Sequence, residues 1–143
     1  MEKGIKFEVI WFDQDVIEVA LSCSNGCFSG RAEIYLSHDD LSDLPGSLRG
    51  FPASVGDARK IELGTFNPKH ADGGVKMHLY CSDSSGHAVL EIQLRGDGCK
   101  ALGEVESVAL RMPIEAAGVD SFVQQLIVMN STIGASAALP MAK

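Results

Sequence analysis

Residues 22–28 read Ser-Cys-Ser-Asn-Gly-Cys-Phe (SCSNGCF), two cysteines four positions apart around an Asn-Gly pair. The segment is either a redox or metal clasp or the bend of a hairpin. Ahead of it the apolar residues Ile17, Val19, Leu21 and Cys23 fall on alternate positions; beyond it the apolar set is Phe28, Ala32, Ile34 and Leu36. Period-2 alternation marks half-buried strands, and Asn-Gly is a strong hairpin signal because both residues tolerate positive φ. A two-residue Asn25-Gly26 loop sets Ile17 opposite Ile34, Val19 opposite Ala32, Leu21 opposite Gly30 and Cys23 opposite Phe28. A loop that paired Cys23 with Cys27 would instead set Val19 against Arg31. A slip of one residue turns a whole apolar set to the wrong face, so the first pairing is expected. Cys23 then points into the core and Cys27 away from it, where one disulfide cannot join them.

The same logic applies to residues 75–94, VKMHLYCSDSSGHAVLEIQL. A four-residue turn, Asp83-Ser84-Ser85-Gly86, pairs Cys81 with Ala88, Leu79 with Leu90 and Met77 with Ile92. His78 then faces Glu91 and Tyr80 faces Val89 on the other side. Residues 5–12 (IKFEVIWF) predict a strand with Phe7, Val9 and Trp11 on one face. Residues 58–63 and 104–112 bring the expected number of strands to about seven, in an antiparallel meander because the turns are short.

Two helices are expected. Ser37 is a suitable N-cap for residues 38–50, where Asp39 and Asp40 suit the positive end of the helix dipole and Leu41, Leu44, Leu48 and Phe51 follow at helical spacing. Pro45-Gly46 predicts a kink or two short turns there. A second apolar stripe, Val119, Phe122, Val123, Leu126 and Ile127, predicts a helix over 114–129. The expectation is thus an α+β fold in which a twisted meander sheet or open sandwich is packed by two helices. It is one domain over residues 1–130, with no internal repeat, and residues 131–143 form a flexible C-terminal tail of small residues.

At 143 residues the chain is long enough for one core without staples. No apolar run approaches the ~18 residues of a membrane span, and the first residues lack a secretory signal. The net charge of −7 argues against a phosphate-binding surface, so neither a membrane nor a nucleic acid is expected as partner. It suits solubility or the steering of a basic partner.

Little in the sequence carries chemistry. Cys23, Cys27, Cys81 and Cys99 lack the close pairs of a tetrahedral zinc site, and without a leader they read as reduced cytoplasmic thiols. Nothing brings a thiol to His38, His70, His78 or His87 as a nucleophile–base pair. The aspartates at 13, 15, 39, 40 and 83 sit where turns and helix starts already call for them, and no calcium loop is present. His70 and Asp72 lie in a loop that could form a binding rim. No catalytic residue, metal or cofactor is assigned. The candidate binding residues are those on the outward faces of the hairpins, Arg31, Tyr35, His78, Tyr80, His87 and Glu91, because Tyr, His and Arg are interface-prone types.

The stretch RGFPASVGDARKIELGTFNPKHADGGVKMHLYCSDSSGHAVLEIQLR (residues 49–95), followed by VALRMPIEAAGVDSFVQQL (108–126), resembles a family of small uncharacterised bacterial proteins, loosely over residues 5–130. Some such small acidic α+β proteins resemble immunity proteins, which neutralise a toxin by binding it. The resemblance implies a bacterial cytoplasmic protein and a shared fold; it carries no catalytic motif, and Pro45-Gly46 departs from its smoother helix. The expected function is a non-enzymatic protein-binding module, immunity-like in its mode of action. The alternatives are a small-ligand binder or enzyme with a pocket between sheet and helix, and a homo-oligomer associating through a sheet face or edge.

Overall fold

In a computed structural model that describes residues 2–66, 73–96, 105–129 and 132–143, the chain forms eight strands and two helices. In order these are β1 (Gly4–Phe12), β2 (Val16–Ser24), β3 (Ser29–Ser37), α1 (His38–Leu48), β4 (Arg59–Gly64), β5 (Gly74–Cys81), β6 (Ala88–Arg95), β7 (Ser107–Ile114), α2 (Ala116–Val128) and β8 (Ser136–Pro140). They build two antiparallel four-stranded sheets, ordered β3-β2-β1-β8 and β4-β5-β6-β7. This is the expected α+β class, with eight strands where about seven are expected, and with two sheets, as in the open sandwich of the expectation rather than a single meander sheet.

The β5–β6 hairpin has the expected register, with Leu79 opposite Leu90, Met77 opposite Ile92 and His78 opposite Glu91. The β2–β3 hairpin is shifted by two residues. Val19 faces Ile34, Leu21 faces Ala32 and Cys23 faces Gly30. The loop therefore spans Asn25–Phe28, and Phe28 lies 67% exposed. Asn25 sets this loop: its Oδ1 accepts from the amides of Cys27 and Phe28, both at 2.9 Å, its own amide donates to Phe28 O, and Gly26 takes φ +90°. A side-chain-built turn of this kind uses two residues more than a bare Asn-Gly bend. A shift of two keeps every side chain on its face, so Cys23 is buried, Cys27 is exposed and neither is bonded.

Two further expectations are corrected. Trp11 does not join Phe7 and Val9 inside: pairing jumps from Val9–Val19 to Trp11–Glu18, and the bulge turns Trp11 outward to 44% exposure. Within the expected tail, residues 136–140 form a strand. Ser136–Pro140 pair with Glu8–Gly4 of β1, and Ala137 and Leu139 are buried. Gln125 of α2 serves this strand, accepting from the Ala138 amide at 3.0 Å and donating to its carbonyl at 3.4 Å.

The α1 helix begins on a capping box: Ser37 Oγ accepts from the Asp40 amide and Asp40 returns a carboxylate to the Ser37 amide. Pro45 does not break it; the helix runs on to Leu48. Arg59 on β4 donates to the Ser47 and Arg49 carbonyls beyond the proline and is held by Asp57 at 2.8 Å. The second helix starts at Ala116 rather than 114, because Pro113 and Ile114 complete β7.

One cluster of buried residues joins the inner faces of both sheets to the helices. Phe122 of α2 meets Phe7 of β1 edge-to-face at 5.7 Å. The edge strand β3 lies across one end of the second sheet and approaches all four of its strands. A Cβ on Gly30 would overlap Val108 of β7, and one on Gly73 would lie 2.6 Å from the Glu33 carbonyl. Glycine at those two points lets the sheets approach closely at this corner.

The topology also contains a repeat that the sequence does not reveal. Three meandering strands, a helix and a fourth strand occur twice, as β1–β4 with α1 and β5–β8 with α2. Each fourth strand leaves its own half: β4 pairs with β5, and β8 pairs with β1.

Candidate functional site

The outward side chains of the second sheet line up by register into rows. Lys60 of β4, His78 of β5, Glu91 of β6 and Arg111 of β7 make one row, and Glu62, Lys76, Gln93 and Ala109 make the next. Together they line a trough of about 610 Å³ on the sheet's outer face, within the size range of ligand sites. At one end the loop after β4 turns back over the sheet. Phe66 there covers Gly74, where a Cβ would meet its ring at 2.9 Å, and the Lys76 ammonium lies 4.3 Å above that ring.

Two of the six expected residues, His78 and Glu91, line this trough, and a third, Tyr80, stands beside it. Tyr80 OH donates to Glu91 Oε1 at 2.9 Å, His78 Nδ1 lies 3.6 Å from Glu91 Oε2, and the His78 and Tyr80 rings are 4.8 Å apart. The remaining three lie elsewhere. Arg31 and Tyr35 are on β3 in the first sheet, where Arg31 is paired with Glu33 at 2.8 Å and Tyr35 lies opposite Glu18. His87 sits in the β5–β6 turn with Nδ1 at 2.7 Å from Asp83 Oδ2. That bond, with amide donors from His87 and Ser85, holds the Asp83 carboxyl below the usual range. His70, Asp72 and Cys99 lie outside the described residues.

Lys60, Lys76 and Arg111 were not anticipated. A lone lysine or arginine on a strand reads as solvated; only the registers of β4 and β7 against the central hairpin collect them on one face. Among the described residues neither Lys60 nor Arg111 has an ion-pair partner. The trough holds three cations against two carboxylates, Glu62 and Glu91, in a chain of net charge −7. Its balance of charge is opposite in sign to that of the whole chain.

The interior between sheets and helices, where a pocket is the alternative expectation, holds the core cluster. A second depression of about 640 Å³ opens between the helices, lined among others by Ile17, His38, Asp43, Arg49 and Ile127; there His38 Nε2 lies 2.7 Å from the Asp13 carbonyl. Among the described residues, no three His, Cys, Asp or Glu side chains are grouped to hold a metal ion, and no helix is long and apolar enough to cross a membrane. Compared with family models, with curated proteins and with solved structures, the chain matches none, so the resemblance drawn from the sequence gains no support there.

Proposed function

We propose that the protein is a non-enzymatic binding module that takes a protein partner in the trough on the outer face of its second sheet. The observation that carries this reading is the gathering of Lys60, His78, Glu91 and Arg111 into one register row, with Tyr80 hydrogen-bonded beside it. Tyr, His and Arg give large contact area with polar ends, and a trough open along its length suits a chain segment more than an enclosed small molecule. The sequence resemblance adds the setting, a bacterial cytoplasmic protein acting in the manner of an immunity protein.

A plug in the trough tests the reading without assuming the partner's charge. Ala109 is exposed, so Ala109→Trp fills the depression from the surface. Wild-type protein and the variant, matched by circular dichroism, are used to capture partners from extracts of the native host. The expected result is one stoichiometric partner that the wild type retains and the variant loses. Equal retention by both, or no stoichiometric partner for either, overturns the reading.

A further inference from the structure

We propose that the trough binds an acidic peptide segment in extended form, laid across the strands along the row Lys60–His78–Glu91–Arg111. The inference rests on the binding-module reading and adds the chemistry of the partner. Its basis is which charges in the trough are already committed. Glu91 is held by the Tyr80 hydroxyl and lies beside His78, and Lys76 is drawn over the Phe66 ring. Lys60 and Arg111, at the two ends of the row, have no ion-pair partner among the described residues. Glu62, opposite Lys76 in the neighbouring row, also has no ion-pair partner among the described residues, so the uncommitted charge is two cations against one carboxylate, positive on balance.

The spacing selects the occupant. Lys60 on β4 and Arg111 on β7 are three strand intervals apart, and strands lie about 4.8 Å apart, so the two cations are rooted roughly 14 Å from each other. A single small carboxylate reaches one of them. An extended peptide rises about 3.3 Å per residue and shows alternate side chains on one side, so residues i and i+4 present their groups about 13 Å apart on the same face. Acidic residues at i and i+4 then meet Lys60 and Arg111. An uncharged hydrogen-bonding residue at i+2 lies over the His78–Glu91 pair, where a third acid would be repelled. A nucleic-acid strand cannot leave out that middle charge, because its phosphates are continuous.

The test is a titration of 15N-labelled protein, followed by amide shifts, with the capped peptide Ser-Glu-Gly-Ser-Gly-Glu-Ser. Comparison ligands are the same peptide with lysine for glutamate, a peptide with its two glutamates adjacent, and free glutarate. The expected shifts fall on residues 60, 76–78, 91–93 and 109–111. Lys60→Gln and Arg111→Gln should each weaken binding roughly three- to fivefold, and added salt should weaken it further. Equal response to the lysine peptide, to adjacent glutamates or to glutarate overturns the proposal, as does no response to the spaced acidic peptide. A captured partner that is lost in Ala109→Trp, alongside silence toward the acidic peptide, refutes the acidic occupant while leaving the binding module standing. Failure of both experiments refutes both.

Discussion

The close approach of the two sheets makes a quantitative prediction at Gly30. A methyl added there overlaps Val108 Cγ1 and lies 3.4 Å from its Cβ and 3.8 Å from Leu94 Cδ1. Val108 is β-branched and stiff at χ1, so relief requires the strands to separate. Overpacking of this kind costs about 1–3 kcal/mol. Against it stands the gain of about 0.5–1 kcal/mol from replacing a strand glycine. Gly30→Ala is therefore expected to lose about 0.5–2 kcal/mol. Val108→Ala, at a half-buried position, loses about 1 kcal/mol through its missing methyls. In the double variant the new methyl at 30 enters the space vacated at 108. Its stability should match or exceed that of Val108→Ala alone, giving a coupling of about 1 kcal/mol or more. Urea unfolding of the four proteins measures the cycle. A second estimate comes from thermal midpoints, at about 4 °C per kcal/mol for a chain of this size. Additivity within about 0.5 kcal/mol would mean that β3 does not lie on β7, and the arrangement of the sheets would be refuted.

Three further outcomes follow from other parts of the structure. Leu139→Ala should cost about 2–5 kcal/mol because Leu139 is buried in the core cluster; a loss below 0.5 kcal/mol by urea unfolding would return residues 136–140 to a free tail. Asp57 is held low by its hydrogen bonds with Arg59 and then by the Ala53 amide. A carboxyl lowered in the folded state contributes stability above its unfolded value of about 3.9 and loses it as pH falls through the folded value. The difference in denaturation midpoint between wild type and Asp57→Asn should accordingly be constant above about pH 5 and shrink below pH 4. An equal difference at pH 7 and pH 2.5 would sink that account. Finally, burial both shields the Cys23 thiol and pushes its pKa up. Native protein treated with iodoacetamide should carry label at Cys27 well before Cys23, as read by peptide mass mapping, and comparable rates at the two would contradict the assigned faces.

What the sequence made legible was side-chain parity. Val75 to Leu94 revealed its register in full because both strands alternate cleanly and the turn has only one length that matches them. Around Asn25 the parity was readable and the register was not: Phe28 was counted as an inward residue, whereas the Asn25 carboxamide folds it into the turn. The bulge that turns Trp11 outward lies between two stretches that alternate normally, and a pattern of period 2 carries no mark of one extra residue. Strand β8 was invisible for a different reason. Ala137, Ala138 and Leu139 make too weak a pattern to predict a strand, and what holds them is distant, the edge of β1 and the amide of Gln125. The trough shares that cause, since Lys60 and Arg111 come together only through pairings that the chain makes after α1 and before α2.

The exchange of fourth strands constrains how the molecule is put together. The first sheet lacks an edge strand until residues 136–140 have been synthesised, so β1 waits with its ladder groups unpaired while more than a hundred residues are added. Closure over so long a span is slow, which leaves a nascent chain open to pairing with its neighbour. The same architecture describes what a half-length chain would do: two copies of a βββαβ unit, each lending its last strand to the other, would embrace as a dimer. Here one polypeptide holds both copies and so cannot come apart into them.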